Sequence, residues 1–410
     1  SNTAVDLLTQ KLLDEGVSVV RLGHPARIND KLQEHTLDSL VSSHNDYKPL
    51  KQLRRDALKL RQKALKFKRV FGREEREERK AALAEVKDMF AYARNLERYI
   101  VQHVLDKAQV ITGTLVASSG SAIRDRIFST VFIDEAAQAL EPATWIPITR
   151  AKRVVLAGDH QQLPPTVKST IGQREGLMES LFEKCIKRLD VAVMLDTQYR
   201  SHEKIMAFSS RYFYNKQLHA HASVASNILG NANSDPLLRE PFDYIDTAGC
   251  GFTEALNMRT LSLKNPKEGE LLLKYIASIV SQMENEQLAF GHLTIGIIAP
   301  YKEQVLLLRR LLEDYPVLWA IKEQIAIHTV DGFQGQERDI IGISLVRSND
   351  KGEIGFLSDI RRTNVAMTRA KRKLVMIGDS ATLGGHRFYQ DLLQYIDEIE
   401  AYKSAWEFMY

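Results

Sequence analysis

Two adjacent carboxylates, Asp134 and Glu135, follow the run Val131-Phe132-Ile133. A short run of β-branched and aromatic residues reads as a buried strand, so the acids stand where that strand ends. In open α/β sheets, ligands bind beyond the carboxyl ends of the strands. One carboxylate there suits a hard cation such as Mg²⁺, and its neighbour can orient or deprotonate a water molecule. Taken alone, Ile-Asp-Glu is as readily two solvated acids opening a loop.

Four further stretches change that balance. Gly158-Asp159-His160-Gln161-Gln162-Leu163-Pro164-Pro165 also follows a strand-like run, Arg153–Ala157. A Gln beside an acid pair can hydrogen-bond a γ-phosphate or the attacking water; by itself the stretch is a Gly/Pro turn. Then come Asp196-Thr197-Gln198-Tyr199-Arg200-Ser201-His202, Val330-Asp331-Gly332-Phe333-Gln334-Gly335-Gln336-Glu337, and the run from Arg361 to Lys371. Phosphoryl transfer needs positive charge where negative charge spreads in the transition state. An arginine finger there is worth ~10³–10⁵ in rate, and the planar fork of Arg grips phosphate better than Lys. Arg200 and Arg369 are the candidates. Either one alone is more readily a surface ion pair, but five such stretches in fixed order are not a chance collection.

The elements that must position these residues follow from the rest of the chain. Its 410 residues allow two or three domains. Hydrophobic residues make up 44% and charged residues 26%, enough for a packed core. The net charge of +4 and a sequence pI of about 8.8 permit a nucleic-acid partner without demanding one. Cys185 and Cys250 have no metal-like spacing, which argues against a zinc site or a disulfide framework and fits a reducing compartment, cytoplasm or nucleus. No apolar run approaches the ~18 residues of a membrane span.

Residues 1–22 read as a helix, a stop at Gly16, and a strand over Val17–Leu22. Over 51–105, Leu53, Ala57, Leu60, Ala64 and Phe67, then Leu83, Val86, Phe90 and Ala93, recur at helical spacing on either side of Phe71-Gly72. That predicts an antiparallel helical hairpin. Its first helix carries Lys51, Arg54, Arg55, Lys59, Arg61, Lys63, Lys66, Lys68 and Arg69 against one acid, Asp56: a solvated face, or a stripe that follows phosphates. From Gln109 onward strands alternate with helices. The strands are expected at 110–115, 131–134, 153–159 and 191–195, then at 294–299, 325–330, 340–346 and 374–378. Alternation implies parallel sheets, and two groups imply two α/β domains that change over near Asp196–Ser201.

Taken in order, Ser1-Asn2-Thr3-Ala4-Val5-Asp6, Asp134–Gln138, Gly158–Pro165, Gln198–His202, Val330–Glu337 and Asn364–Ala370 resemble the motifs of superfamily 1 helicases. The nearest group is that of the up-frameshift and immunoglobulin μ-binding helicases, and Asp246–Gly251 and Val346–Asn349 point to the second of these. The resemblance covers nearly the whole chain. It implies two RecA-like parallel-sheet domains, the first incomplete: residues 1–44 with 108–195, and 196–410. Residues 45–107 would be the helical insertion. It implies ATP and Mg²⁺ as cofactors and single-stranded DNA or RNA as partner, with 5′-to-3′ movement and no membrane. Asp134 would ligand Mg²⁺, Glu135 would be the catalytic base, and Gln162 would sense the γ-phosphate. Tyr199 would stack on adenine, Arg200 and Arg369 would hold the γ-phosphate, and Gly335 and Glu337 would meet the nucleotide. Ser1, Asn2 and Thr3 match the first strand-contacting motif, and Thr114, Pro165, Tyr301, Thr329 and Arg347 lie near other strand-contacting positions.

One departure stands out. Helicases of this superfamily cradle phosphates in a Gly-rich loop ending Gly-Lys-Thr or Gly-Lys-Ser, and this sequence has no Gly-Lys dipeptide. With no Met before Ser1, the expectation is the C-terminal part of a helicase, inactive as an ATPase on its own. Two rivals stand beside it: a non-catalytic nucleic-acid-binding module of helicase form, and a different phosphate-loop NTPase. The paired arginine motifs speak against the last.

Overall fold

A computed structural model describes residues 2–66, 72–288 and 291–409. Ser1, Phe67, Lys68, Arg69 and Phe71, named above, lie outside the described residues. The chain divides into two compact units: residues 1–158 with 166–181, and residues 159–165 with 182–410.

In the first unit, helix α1 (Asn2–Asp14) ends at Gly16, whose φ of +74° suits the left-handed cap that a glycine adopts without strain. Strand β1 (Val19–Arg21) then pairs in parallel with β2 (Val110–Thr112). The side chains of Thr9 and Thr112 share a hydrogen bond of 2.8 Å that ties α1 to β2. Strand β3 (Val131–Ile133) pairs in parallel with β4 (Val154–Leu156). Among the described residues these are two separate pairs.

The expected hairpin forms from α2 (Tyr47–Leu65) and α3 (Arg73–Lys107). Leu50, Ala57, Ala93 and Ile100 are buried where the two helices pack, and the small side chains at Ala57 and Ala93 let the helices approach closely. Arg54 is not on the outer face as expected. It is half-buried and reaches across to Glu97 at 2.5 Å.

The second unit is built on a six-stranded, wholly parallel sheet. Its strands are β5 (Phe242–Asp246), β6 (Ile295–Ala299), β7 (Ile325–Thr329), β8 (Arg338–Ser344), β9 (Ala370–Gly378) and β10 (Tyr402–Ser404), in the order β7-β6-β8-β9-β5-β10. Period-two alternation sends neighbouring residues to opposite faces. Ile340, Val375 and Ile377 pack beneath α4 (Pro266–Asn285) and α5 (Lys302–Leu311). Ile341, Ile343, Leu374 and Met376 pack on the other face with Ile205, Phe208, Val365 and Phe388. Helices on both faces of a parallel sheet make this unit RecA-like. Two glycines let the layers close: a Cβ on Gly296 would lie 2.4 Å from the Phe333 ring, and one on Gly342 2.7 Å from Ile276.

Three segments differ from expectation. Val191–Leu195 forms no strand, and Val191, Val193 and Leu195 stand exposed with no ladder partner. β-propensity describes fit to a neighbouring strand, and none is there. Conversely, β5 and β10, which are not among the expected strands, carry Asp243 and Lys403. In the fold Asp243 is buried and ion-paired with the equally buried Lys373, while Lys403 reaches it at 3.1 Å and the Tyr275 hydroxyl donates to it at 2.8 Å.

Candidate functional site

The acid pair stands at the end of β3, where the sequence places it. Asp134 and Glu135 are exposed, and Glu135 sits in the left-handed region at φ +52°, unusual for a residue with a side chain. The Glu135 N–H donates to Asp134 Oδ1 at 3.0 Å, and Gln138 Nε2 donates to the Glu135 carboxylate. Gly158, just past β4, fits this turn closely: a Cβ on it would lie 2.9 Å from the Ala137 nitrogen. Among the described residues no three His, Cys, Asp or Glu side chains gather as a metal cluster. That donor set suits Mg²⁺, which one or two carboxylates commonly bind together with water and substrate phosphates. When bound, the ion would neutralise phosphate charge.

A second assembly forms within the second unit. The Glu337 carboxylate bridges two cations, with Arg200 Nε at 2.6 Å and Lys371 Nζ at 2.9 Å. Arg200 also donates to the Thr368 carbonyl at 3.2 Å. Partial burial opposes ionisation of Glu337, but hydrogen bonds from Lys371 and Arg200 outweigh it and hold its pKa below the usual carboxylate range. Arg369 is buried, donating from Nε to the Val365 carbonyl and from Nη2 to Gln162 Oε1 at 3.0 Å each. Four stretches far apart in sequence therefore meet here.

Gln162 is held by residues of the second unit, with which residues 159–165 group. Leu163 is buried in that unit's core. Asp159 accepts from the Tyr214 hydroxyl at 2.6 Å and from Gln162 Nε2 at 2.9 Å, and the Gln161 carbonyl accepts from Asn364 Nδ2 at 3.0 Å. Burial and the neighbouring Asp159 push Tyr214 well above the usual phenol range. Asn364 and Lys371 lie inside a motif already noted; Tyr214 carried no sequence signal.

Tyr199 is 65% exposed, its ring tilted against His221 with centroids 4.5 Å apart, so one face remains open to a planar ligand. Gly335 has φ +70° with open space where a Cβ would stand.

The expected strand-contacting residues divide. Asn2 opens α1, its side-chain oxygen accepting from the fully buried Arg21 at 3.1 Å, and Arg21 is itself paired with Asp6 at 2.9 Å. Thr3 is exposed, and Thr114 accepts from the Ala117 N–H at 3.2 Å. Thr329 ends β7 half-buried, and Pro165 is buried. Tyr301 and Arg347 turn inward. Arg347 donates to the Tyr301 hydroxyl at 3.3 Å and pairs with Glu254 at 2.9 Å, and both residues are buried. Its charge is already answered inside the fold.

Comparison with known proteins fits this geometry. A family model described as an AAA domain matches residues 177–381, half of the chain, and another with that description matches residues 1–170. The DNA-binding protein SMUBP-2 of Rattus norvegicus is 35% identical over 424 residues, covering 100% of this chain and 40% of that protein. The chain belongs to superfamily 1 of the helicases, in the up-frameshift and immunoglobulin μ-binding group. An uncharacterized ATP-dependent helicase of Methanocaldococcus jannaschii is 31% identical, covering 98% of this chain and 63% of its own length. The DNA polymerase alpha-associated DNA helicase A of Saccharomyces cerevisiae is 34% identical, covering 97% of this chain and 60% of its own length. The chain thus spans two-fifths to three-fifths of these relatives. Among the described residues no helix is long and apolar enough to cross a membrane.

Proposed function

We propose that these residues form the two-domain motor core of an ATP-dependent helicase that moves 5′-to-3′ along single-stranded nucleic acid. Asp134 holds Mg²⁺ and Glu135 activates water. Gln162, Arg200 and Arg369 respond to the γ-phosphate, and Tyr199, Gly335 and Glu337 receive the nucleotide. Asn2, Thr3, Thr114 and Thr329 contact the strand. Domain limits at 1–44 with 108–195, 45–107 and 196–410 go with this reading. Its main support is the assembly in which Arg200, Glu337, Lys371, Arg369 and Gln162 gather from remote motifs. Guanidinium groups held by a carboxylate and an amide are preorganised, so little reorganisation is needed when charge develops on phosphate.

The sequence holds no Gly-Lys dipeptide, and we infer that these 410 residues alone bind nucleotide weakly and do not turn it over. The decisive experiment is nucleic-acid-stimulated ATP hydrolysis by the full-length protein. Arg369→Ala should lower turnover by ~10³-fold or more, and Arg369→Lys, which keeps the charge without the fork, by nearly as much. Near-normal turnover in a folded Arg369→Ala protein refutes the assignment.

A further inference from the structure

We propose that the outer edge of α2 is a docking surface for the sugar-phosphate backbone of a nucleic-acid duplex. Lys48, Lys51, Arg55, Lys59 and Lys63 are all exposed and follow one another at steps of three or four residues along this helix. At 3.6 residues per turn these steps keep the five cations within about a third of the helix circumference. That stripe lies opposite the buried side, where Leu50 and Ala57 meet α3. None of the five makes an ion pair with another described residue, whereas Arg54, off the stripe, turns to Glu97. Asp56, the one acid on the helix, accepts from Gln52 at 3.0 Å.

Like charges at this spacing oppose the helix that carries them. An anion array of matching pitch would relieve that repulsion, and the stripe is a straight rod about 22 Å long at 1.5 Å per residue. A duplex offers phosphates on that scale, the stripe spanning roughly six base pairs at 3.4 Å each. Sites for single strands join a basic groove to aromatic platforms, and the exposed residues interspersed between Lys51 and Lys63, namely Gln52, Leu58, Arg61 and Gln62, include no aromatic ring. A protein partner would need a buried apolar anchor, which a row of lysines does not supply. The partner chemistry is therefore a duplex read by charge and not by sequence. The inference rests on the nucleic-acid part of the proposed function. The two fail separately: single-strand affinity of the unaltered chain tests that reading, and the variants below test this one.

The test is equilibrium binding of a DNA duplex and of a matching single strand, each about 20 nucleotides long, across a salt series. The K51Q/R55Q/K59Q/K63Q variant removes four cations. Its duplex salt slope should become shallower by roughly 3.6, because each of the four phosphate contacts contributes about 0.9. Its duplex affinity should fall at least about tenfold while single-strand affinity holds within about twofold. The control is K80Q/K87Q/R94Q/R98Q, which removes four exposed cations from α3 of the same hairpin and should leave the duplex slope unchanged. Gln is close to Lys and Arg in helix propensity, and far-UV circular dichroism checks that the helix persists. An unchanged duplex slope overturns the proposal. So does an equal loss on the single strand, which would make the stripe part of the strand path, or an equal effect from the α3 control, which would leave only net charge.

Discussion

Replacing Glu268 by Gln should remove a pH dependence that one buried carboxyl imposes on the second unit. Glu268 lies in α4 with no solvent exposure. Its Oε1 accepts from the Ser344 hydroxyl at 2.7 Å and the Val346 N–H at 2.9 Å, while Oε2 is buried without a hydrogen-bond partner. Burial pushes its pKa up to about 8 from an ordinary 4.5, against the pull of those two hydrogen bonds. Between those values the folded chain keeps a proton that the unfolded chain has released. Stability therefore falls as pH rises. The contribution is fully present below the unfolded pKa and is lost as pH climbs to the folded one. Each unit is worth about 1.4 kcal/mol, so between about pH 5 and pH 7.5 the loss is roughly 3 kcal/mol. Gln has the shape of the protonated acid and cannot ionise. Near pH 5 the variant should match the parent or fall slightly below it; near pH 7.5 it should be more stable by roughly 3 kcal/mol. Urea unfolding of both proteins across this window, with the transition of the second unit fitted separately, measures the gap. Subtracting the two profiles cancels every other titrating group. A gap that stays flat within about 0.5 kcal/mol would mean that the fold holds Glu268 as a carboxylate, and the reasoning would fail.

Asp243→Asn should cost about 3–5 kcal/mol in the same assay, because it strands the buried Lys373 ammonium. Asp243→Leu together with Lys373→Met should recover most of that loss, and a cost under about 1 kcal/mol for Asp243→Asn would show that the pair is not the buried contact described. Gly158→Ala places a methyl against the backbone nitrogens of Ala136 and Ala137, which cannot move without shifting the Asp134–Glu135 turn. Hydrolysis by the full-length protein should fall about 10²-fold with little change in thermal midpoint. Unchanged turnover would separate that turn from the chemistry.

Much of the architecture is legible in the sequence because local patterns and long-range packing agree. The hairpin follows from helical spacing of Leu53, Ala57, Val86 and Ala93, and strands β6, β8 and β9 follow from apolar runs that are largely buried on both faces. Where pattern and packing disagree, the sequence misleads. Val191–Leu195 has strand composition and no neighbour to pair with. Asp243 and Lys403 carry no core signal in the sequence, yet the fold sets them on adjacent strands with Asp243 between the cations Lys373 and Lys403.

The candidate site divides the same way. The types and order of its residues, from the acid pair after β3 to the arginines of the late motifs, are written in the chain itself, since each chemical role admits few side chains. Proximity is not. That Glu337 grips Arg200 and Lys371, that Gln162 answers Arg369, and that Tyr301 and Arg347 turn inward were decided only when parallel strands brought distant loops to one sheet end. A hydrogen bond depends on separations of a few tenths of an ångström, and such separations between distant segments arise from packing of the whole unit.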